Sequence, residues 1–342
     1  MVMSSRERVG AALRRQQPDR VPYCELAVDR SLADTLMGWQ GPSGQAGKLE
    51  TNWYSVEESK ALAEFLGMDN ITYVLRAPVY AEHGVGANGR LFYGAGMIKS
   101  DADLPLLQLP DPYDDKLYEG ALRFARNKGD YSAWLVTRVG VFSTMLSMGT
   151  ENFCLALYDN PTLVETILDR YFDWTVVMAE RACQLGFDAF VSTDDMAFKS
   201  APFFSPRIFH DLLLPRYQRV APKVTIPWIA HSDGNLMPFL DDLLSVGLAG
   251  LHPNEKGAMD IRAMKRHYGH RVCLLGNVDL NILSLGTAAE VDQEVRELIR
   301  DVGPGGGYIV TSGNSLASYV KPENAVAMSQ AVQKYGQYPL NI

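Results

Sequence analysis

The segment "PWIAHSDGNLMPFL", residues 227–240, runs a hydrophobic stretch into four polar or tiny residues, His231, Ser232, Asp233 and Gly234. The stretch predicts a buried strand, with those four residues at its end. His231 and Asp233 are two apart, so in continued extended backbone they share one face. A histidine and a carboxylate within reach of each other can bind a divalent cation or move a proton. The local alternative is that His231 hydrogen-bonds a backbone carbonyl and Asp233 caps a helix starting near Asn235. Other hydrophobic runs end the same way, in "LVTR", "VSTDD", "LHPNEKG", "LLGNVD" and "VTSGNS". Glu255 can be a third ligand, a substrate anchor, a general acid or an exposed loop charge. Asp194 and Asp195 form an acidic pair, of which one is expected in the pocket; close carboxylates can hold a proton at raised pKa. Arg30 and Arg138 are guanidinium groups suited to an anionic moiety. Asn277, Asp279, Ser312 and Asn314 supply neutral or acidic groups at the last two strand ends.

These residues need a scaffold that gathers strand ends. A capped N-terminal helix is read in "SRERVGAALRR", stopped by "QQPDRVP". Strands follow in "VPYCELAV" and "NITYVLRA", then in "YSAWLVTR", "FDAFVST", "TIPWIAH", "LAGLHPN", "RVCLLGNV" and "GGYIVTSG", with helical periodicity between them from residue 130 onward. About eight strands alternating with helices predict an α/β chain forming a (β/α)8 TIM barrel, with an N-terminal helical extension and an inserted hairpin or loop region. The expected organisation is one barrel domain over residues 1–342, with an excursion over 81–115. A doubly wound sheet is disfavoured, because "DRSLAD" after the first strand lacks the glycine-rich phosphate turn. The glycines of "GPGGGYIVTSG" precede their strand, so they read as a helix-to-strand turn.

Composition narrows the partners. The chain has 342 residues, is 47% hydrophobic and 21% charged, and carries a formal charge of -8. No block of basic residues suits a nucleic-acid backbone, so none is expected as partner. Apolar runs stop short of a membrane span. The opening "MVMSSRERVG" carries no secretory pattern, so a cytoplasmic location is expected. Cys24, Cys154, Cys183 and Cys273 form no CxxC pair and read as small buried hydrophobes. Tyr23, Trp228 and Tyr308 either line a cavity or fill core.

Taken together, "RERVGAALRRQQPDRVP", "LYDNPTLVETIL", "GFDAFVSTDD", "FSPRIFHDLLLPRYQRV", "HSDGN", "LLGNVD" and "GGGYIVTSGN" resemble the uroporphyrinogen decarboxylase superfamily. The resemblance implies a (β/α)8 barrel and two chemistries: decarboxylation of a porphyrinogen's acetate arms without cofactor, or methyl transfer involving a corrinoid protein or a thiol, usually with zinc. The decarboxylases carry an arginine-rich segment after the first strand, where this chain has "LAVDR", with Ala27 near the first critical arginine and only Arg30 close by. The aspartate expected after the second strand is not evident in "NITYVLRAPVY", the expected tyrosine falls near Ser147, and the late histidine falls near Asn314. The zinc-thiol methyltransferases carry His-x-Cys and a distal Cys; here His231 matches the histidine, Asp233 falls on the first cysteine and Asn314 on the second. A set without thiolates is a harder, weaker zinc site, so thiol activation is not expected; zinc held by N and O ligands, or no metal, both stay open.

The resemblance therefore points to the corrinoid-linked methyltransferase branch. The implied reaction moves a methyl group from an aryl methyl ether or methylated amine to a Co(I) corrinoid on a separate partner protein. His231, Asp233, Glu255 and Asp195 are the expected catalytic residues, with Arg30, Arg138, Asp194, Tyr23, Asn277 and Asn314 at the substrate. His231, Asp233 and Glu255 would hold any metal. A divergent decarboxylase and a non-catalytic ligand-binding barrel are the alternatives, and a homodimer is compatible with either.

Overall fold

The computed structural model describes residues 2–40, 52–85 and 91–342. Nine strands occur in chain order: β1 (Asn70–Val74), β2 (Ala81–Val85), β3 (Leu91–Gly96), β4 (Ser132–Thr137), β5 (Ala189–Thr193), β6 (Trp228–His231), β7 (Gly250–His252), β8 (Cys273–Leu275) and β9 (Tyr308–Ile309). Seven of them form one parallel sheet in the order β1-β4-β5-β6-β7-β8-β9. β2 and β3 pair antiparallel as a separate hairpin within the expected excursion. The glycine-rich "GVGANG" falls largely outside the described residues.

The eighth stave is the segment 22–28, and it closes the curled sheet without becoming a regular strand. On one side, Cys24 N–H donates to the Val310 carbonyl at 3.0 Å, and Val310 N–H donates to that of Pro22 at 2.9 Å. On the other, the Asn70 amide stands in for a ladder. Its Oδ1 accepts from Glu25 N at 3.0 Å and its Nδ2 donates to Glu25 O at 2.8 Å. The eight staves thus form a (β/α)8 barrel whose seam is bridged by a side chain.

Parallel strands buried on both faces read as continuous apolar runs, as these do. Side-chain alternation then decides what faces inward. Trp134, Val136, Ala189, Val191, Ile229, Cys273, Leu275 and Ile309 fill the barrel with Cys24. Helix Ser5–Leu13 is fixed at its start by a capping box between Ser4 and Glu7. It pushes Val9, Ala12 and Leu13 into the same interior cluster, plugging the N-terminal end. Tyr23 and Tyr308 point the other way, into the layer between staves and helices. Trp228 does likewise, its Nε1 donating to Ser192 Oγ at 2.8 Å. All three are core residues.

The surrounding helices start where local chemistry directs. Asn160 caps the helix Pro161–Ala182, which has proline at its first position. The run "FSTMLSMGTENFCLALYDN" divides into Val141–Met148 and Thr150–Asp159 at Gly149, whose φ is 78°. A π-helical turn, Phe209–Leu213, lies just before Pro215. Gly306 lies at φ 79°, and a Cβ there would stand 2.3 Å from the Gln16 carbonyl oxygen, which accounts for glycine in that helix-to-strand turn. No helix among the described residues is long and apolar enough to cross a membrane.

Asp69 locks the plug to the barrel. Fully buried, it accepts from Ser5 Oγ at 2.8 Å, Arg8 Nη1 at 2.7 Å, both Arg20 terminal nitrogens at 2.9 Å and Tyr23 N at 3.0 Å. Removing one partner of a buried ion pair leaves the others uncompensated. Asp69→Asn is therefore expected to destabilise the fold by about 3–5 kcal/mol, measurable as a lower urea midpoint. A midpoint within error of wild type would show that the plug is held by apolar packing alone.

Candidate functional site at the C-terminal mouth

Register brings the chemistry together. Thr193, His231 and His252 are successive Cα partners across β5, β6 and β7. Val191 and Ile229 face the interior, so Thr193 and His231, two residues further along, face it again at the mouth. The same alternation separates the acidic pair. Asp195 reaches the mouth, its Oδ1 3.6 Å from His231 Nε2 and accepting from Asp233 N at 3.0 Å. Asp194 turns behind the strands, where its buried carboxylate accepts from Val139, Gly140 and Phe142 N–H at 2.6, 3.2 and 3.0 Å. It anchors the start of helix Val141–Met148, at the positive end of the helix dipole. Burial raises its pKa, against the pull of those amides and of Arg138.

Asp233 does not cap the next helical turn; Asn235 Oδ1 accepts from Met237 N at 3.1 Å instead. Asp233 Oδ2 accepts from Asn314 Nδ2 at 2.7 Å. Its Oδ1 is buried and has no hydrogen-bond partner among the described residues. Burial, reinforced by Asp195 and Glu255 and opposed by His231 and the Asn314 amide, pushes the Asp233 carboxyl up to about 6. Gly234 explains the end of the motif. Its φ is 87°, and a Cβ there would lie 2.5 Å from the Ala197 carbonyl and the Phe198 oxygen. That close approach lets the loop after β5 fold over the loop after β6.

His231 is buried, and its Nδ1 lies 2.6 Å from Nδ1 of His252. Burial and the neighbouring His231 hold His252 well below the ordinary histidine pKa, so His252 is neutral and one proton serves the contact. His252 lies in the predicted strand "LAGLHPN" with no local signal of its own chemistry; what singles it out is its register partner, His231.

The remaining expected residues divide. Glu255 Oε2 accepts from Gly234 N at 2.8 Å and its Oε1 lies 3.8 Å from Lys199 Nζ, so it braces the motif from outside. Asn277 is buried and donates to the Asn254 carbonyl at 2.5 Å. Asp279 caps the helix Leu280–Leu285. Ser312 holds a buried carboxyl, Glu25, through its N–H and Oγ at 2.9 and 2.6 Å, and burial pushes Glu25 up to about 8. Ser147 Oγ lies 2.8 Å from the Tyr171 hydroxyl, inside the core. Arg138 stacks on Tyr93 and Phe142, 5.4 and 5.6 Å from their ring centroids. Arg30 is engaged away from the mouth, with Asp34 at 2.8 Å, Glu58 at 3.0 Å and the Trp53 carbonyl at 3.1 Å.

Comparison with known proteins agrees with this fold. The family model described as "Uroporphyrinogen decarboxylase (URO-D)" matches residues 98–335, more than half of the chain. The chain belongs to the uroporphyrinogen decarboxylase family. A uroporphyrinogen decarboxylase of Alkalilimnicola ehrlichii is 26% identical over 250 residues, 69% of this chain and 67% of that protein. One from Shewanella pealeana is 23% identical over 187 residues, 52% of this chain and 50% of its own length. A methyltransferase from Methanosarcina mazei shares the fold, with a TM-score of 0.76 at 20% identity over 97% of this chain and 99% of that one. A B12-independent methionine synthase from a Shewanella species follows at TM-score 0.52 and 10% identity, covering 82% and 86%.

Within the family fold, the His231 corner fits a cation. Ligand atoms of Asp195, His231 and Asp233 all lie within 4.8 Å of one another, and Asp233 carries a buried oxygen with no hydrogen-bond partner among the described residues. The third candidate ligand in that group is Asp195, whereas the sequence pattern suggested Glu255. One imidazole and two carboxylates form a hard donor set suited to zinc or manganese rather than to a thiolate-selective site. Equilibrium dialysis with zinc is expected to load about one ion per chain, lost in His231→Ala; equal retention by that variant would remove His231 from the ligands. A second expectation concerns pH. Because Asp233 holds its proton more tightly folded than unfolded, its contribution to stability falls as pH rises from about 4 to about 6. Asp233→Asn should flatten that decline, by on the order of 2 kcal/mol, in denaturation at pH 4 and pH 7. A parallel pair of curves would show that the carboxyl titrates normally.

Proposed function

We propose that the chain is a methyltransferase acting on a small methylated donor, an aryl methyl ether or a methylated amine. The acceptor is a Co(I) corrinoid carried by a separate protein, and it is a substrate of this barrel. The observation that carries this reading is the charge of the mouth. Asp195 and Asp233 sit on His231, and Glu255 braces the turn behind them. That is an acid-donating corner, poorly suited to a substrate bearing eight carboxylates. The arginine grip that a porphyrinogen would need after the first stave is also missing: Ala27 stands there, and Arg30 is taken up by Asp34 and Glu58. The fold shared with a protein named a methyltransferase supports the same reading.

The chemistry assigned to this chain concerns the leaving atom. The reduced cobalt attacks the methyl carbon, the carbon–heteroatom bond breaks, and its electron pair goes to oxygen or nitrogen. That atom leaves easily only if its developing charge is met. Asp233, with a pKa of about 6 and a free Oδ1, can deliver a proton there. Asn314 orients the carboxyl through its other oxygen. His231 and Asp195 flank it, and the neutral His252 fixes the imidazole in place. A cation held by Asp195, His231 and Asp233 would supply Lewis-acid stabilisation to the same leaving atom.

The test is spectroscopic. Purified protein is mixed with Co(I) cobalamin and a panel of methoxyaryl and methylamine donors, and the Co(I) absorption is followed as it converts to methylcobalamin. Conversion with at least one donor is expected, slowed about 10²-fold or more in Asp233→Ala. A panel of this breadth that leaves Co(I) unchanged would sink the reading.

A further inference from the structure

A cavity of about 720 Å³ opens between the loop after β7, the loop after β8 and helix Ala288–Val302. Its lining contains none of Asp195, His231, Asp233 and Glu255, so it is separate from the acidic corner. The buried Met259, Ile261 and Leu298 give it an apolar wall, with Ile282 beside them. A buried carboxylate interrupts that wall. Glu294 is 8% exposed, and its Oε1 accepts from Lys256 Nζ at 2.8 Å and from Asp279 N at 2.9 Å. Its Oε2 is buried and has no hydrogen-bond partner among the described residues. A buried oxygen without a donor costs stability that an incoming N–H can restore. Glu290, Glu294 and Glu297 follow helical spacing, so they share the cavity face of their helix. The cations in the lining are Lys256 and Arg262, and each is already shared between two carboxylates. Lys256 Nζ also lies 3.6 Å from Asp279 Oδ2, and Arg262 lies 2.6 Å from Asp301 and 4.0 Å from Glu297. With Asp260 at the rim, the cavity keeps an excess of negative charge.

We propose that this cavity is a binding site for a small organic ammonium ion, its apolar body against Met259, Ile261 and Leu298 and its N–H donating to Glu294 Oε2. Size admits a small molecule, since ligand cavities span about 300–1,000 Å³. The acceptor decides the polar group: an ionised carboxylate only accepts, so the ligand must donate. Charge decides its sign, because a charge-assisted bond to the carboxylate is stronger than a neutral one and an anion would meet the surrounding carboxylates. The site does not depend on the methyltransferase reading, because none of its residues belongs to the group assigned to that reaction.

Titration calorimetry of the full chain at pH 7 with 2-phenylethylammonium tests the site, with 2-phenylethanol as the neutral analogue of similar shape. Saturable binding of the ammonium is expected, about tenfold or more tighter than the alcohol. Glu294→Gln, which keeps an acceptor for Asp279 N, should weaken it about tenfold or more. Ala289→Trp places a large ring at an exposed position of the lining, keeps Glu294 and should weaken both ligands. Circular dichroism and thermal midpoint report that each variant is folded. Asp233→Asn should bind the ammonium as wild type does, since the acidic corner is a separate place. No saturable binding of the ammonium to wild type would overturn the proposal. So would equal affinity for the alcohol, or undiminished binding to both folded cavity variants. Binding lost in Asp233→Asn and kept in Glu294→Gln would put the ammonium at the mouth and overturn it as well. Binding as expected in a protein that leaves Co(I) cobalamin unchanged with every donor would keep this site and remove the methyltransferase.

Discussion

The alternation of side chains along staves held in common register is the constraint from which the rest of this molecule follows. Once Val191, Ile229 and Gly250 are neighbours across β5, β6 and β7, each residue two positions on is committed to the same side. Thr193, His231 and His252 then meet at the mouth. Asp195 enters and Asp194 cannot. A slip of one residue on β6 would send His231 and Asp233 into the helical layer and Ser232 into the barrel. The apolar interior therefore does more than stabilise: by penalising any such slip, it fixes which polar groups meet beyond the last apolar layer.

That interior needs a floor. Short strands such as β8 and β9 contribute few ladder bonds, and so does the eighth stave. The N-terminal helix makes up for this by burying Val9, Ala12 and Leu13 against the lower layer. Its attachment concentrates at Asp69, which answers two arginines, a serine and the Tyr23 amide together. Asn70, next in sequence, carries the seam. Two adjacent polar residues at the start of β1 thus hold both the plug and the closure, far from any chemistry.

Much of this was legible in the sequence, for physical reasons that can be named. Buried parallel strands announce themselves as apolar runs, so the barrel and the importance of their polar ends could be read. The pairing of His231 with Asp233 followed from period-two spacing. What could not be read was long-range. Nothing local says that Arg30 is absorbed by Asp34 and Glu58, since that depends on how helix Arg30–Met37 meets helix Val56–Leu66. Nothing local gives Asn235, rather than Asp233, the next turn's N–H. Tyr23, equally aromatic and equally near a strand end, faces core because its parity is odd against Cys24.

The acidic corner limits what can occupy it. Asp233 sits where two carboxylates and burial all favour a positive occupant, and a proton or a cation can supply it. They compete for the same orphan oxygen. A ligand with several carboxylates would add charge beside Asp195 and Asp233 and would be repelled. On the methyltransferase proposal, the corner requires a neutral, electron-accepting atom opposite His231. That requirement is met by an ether oxygen about to leave as an alcohol.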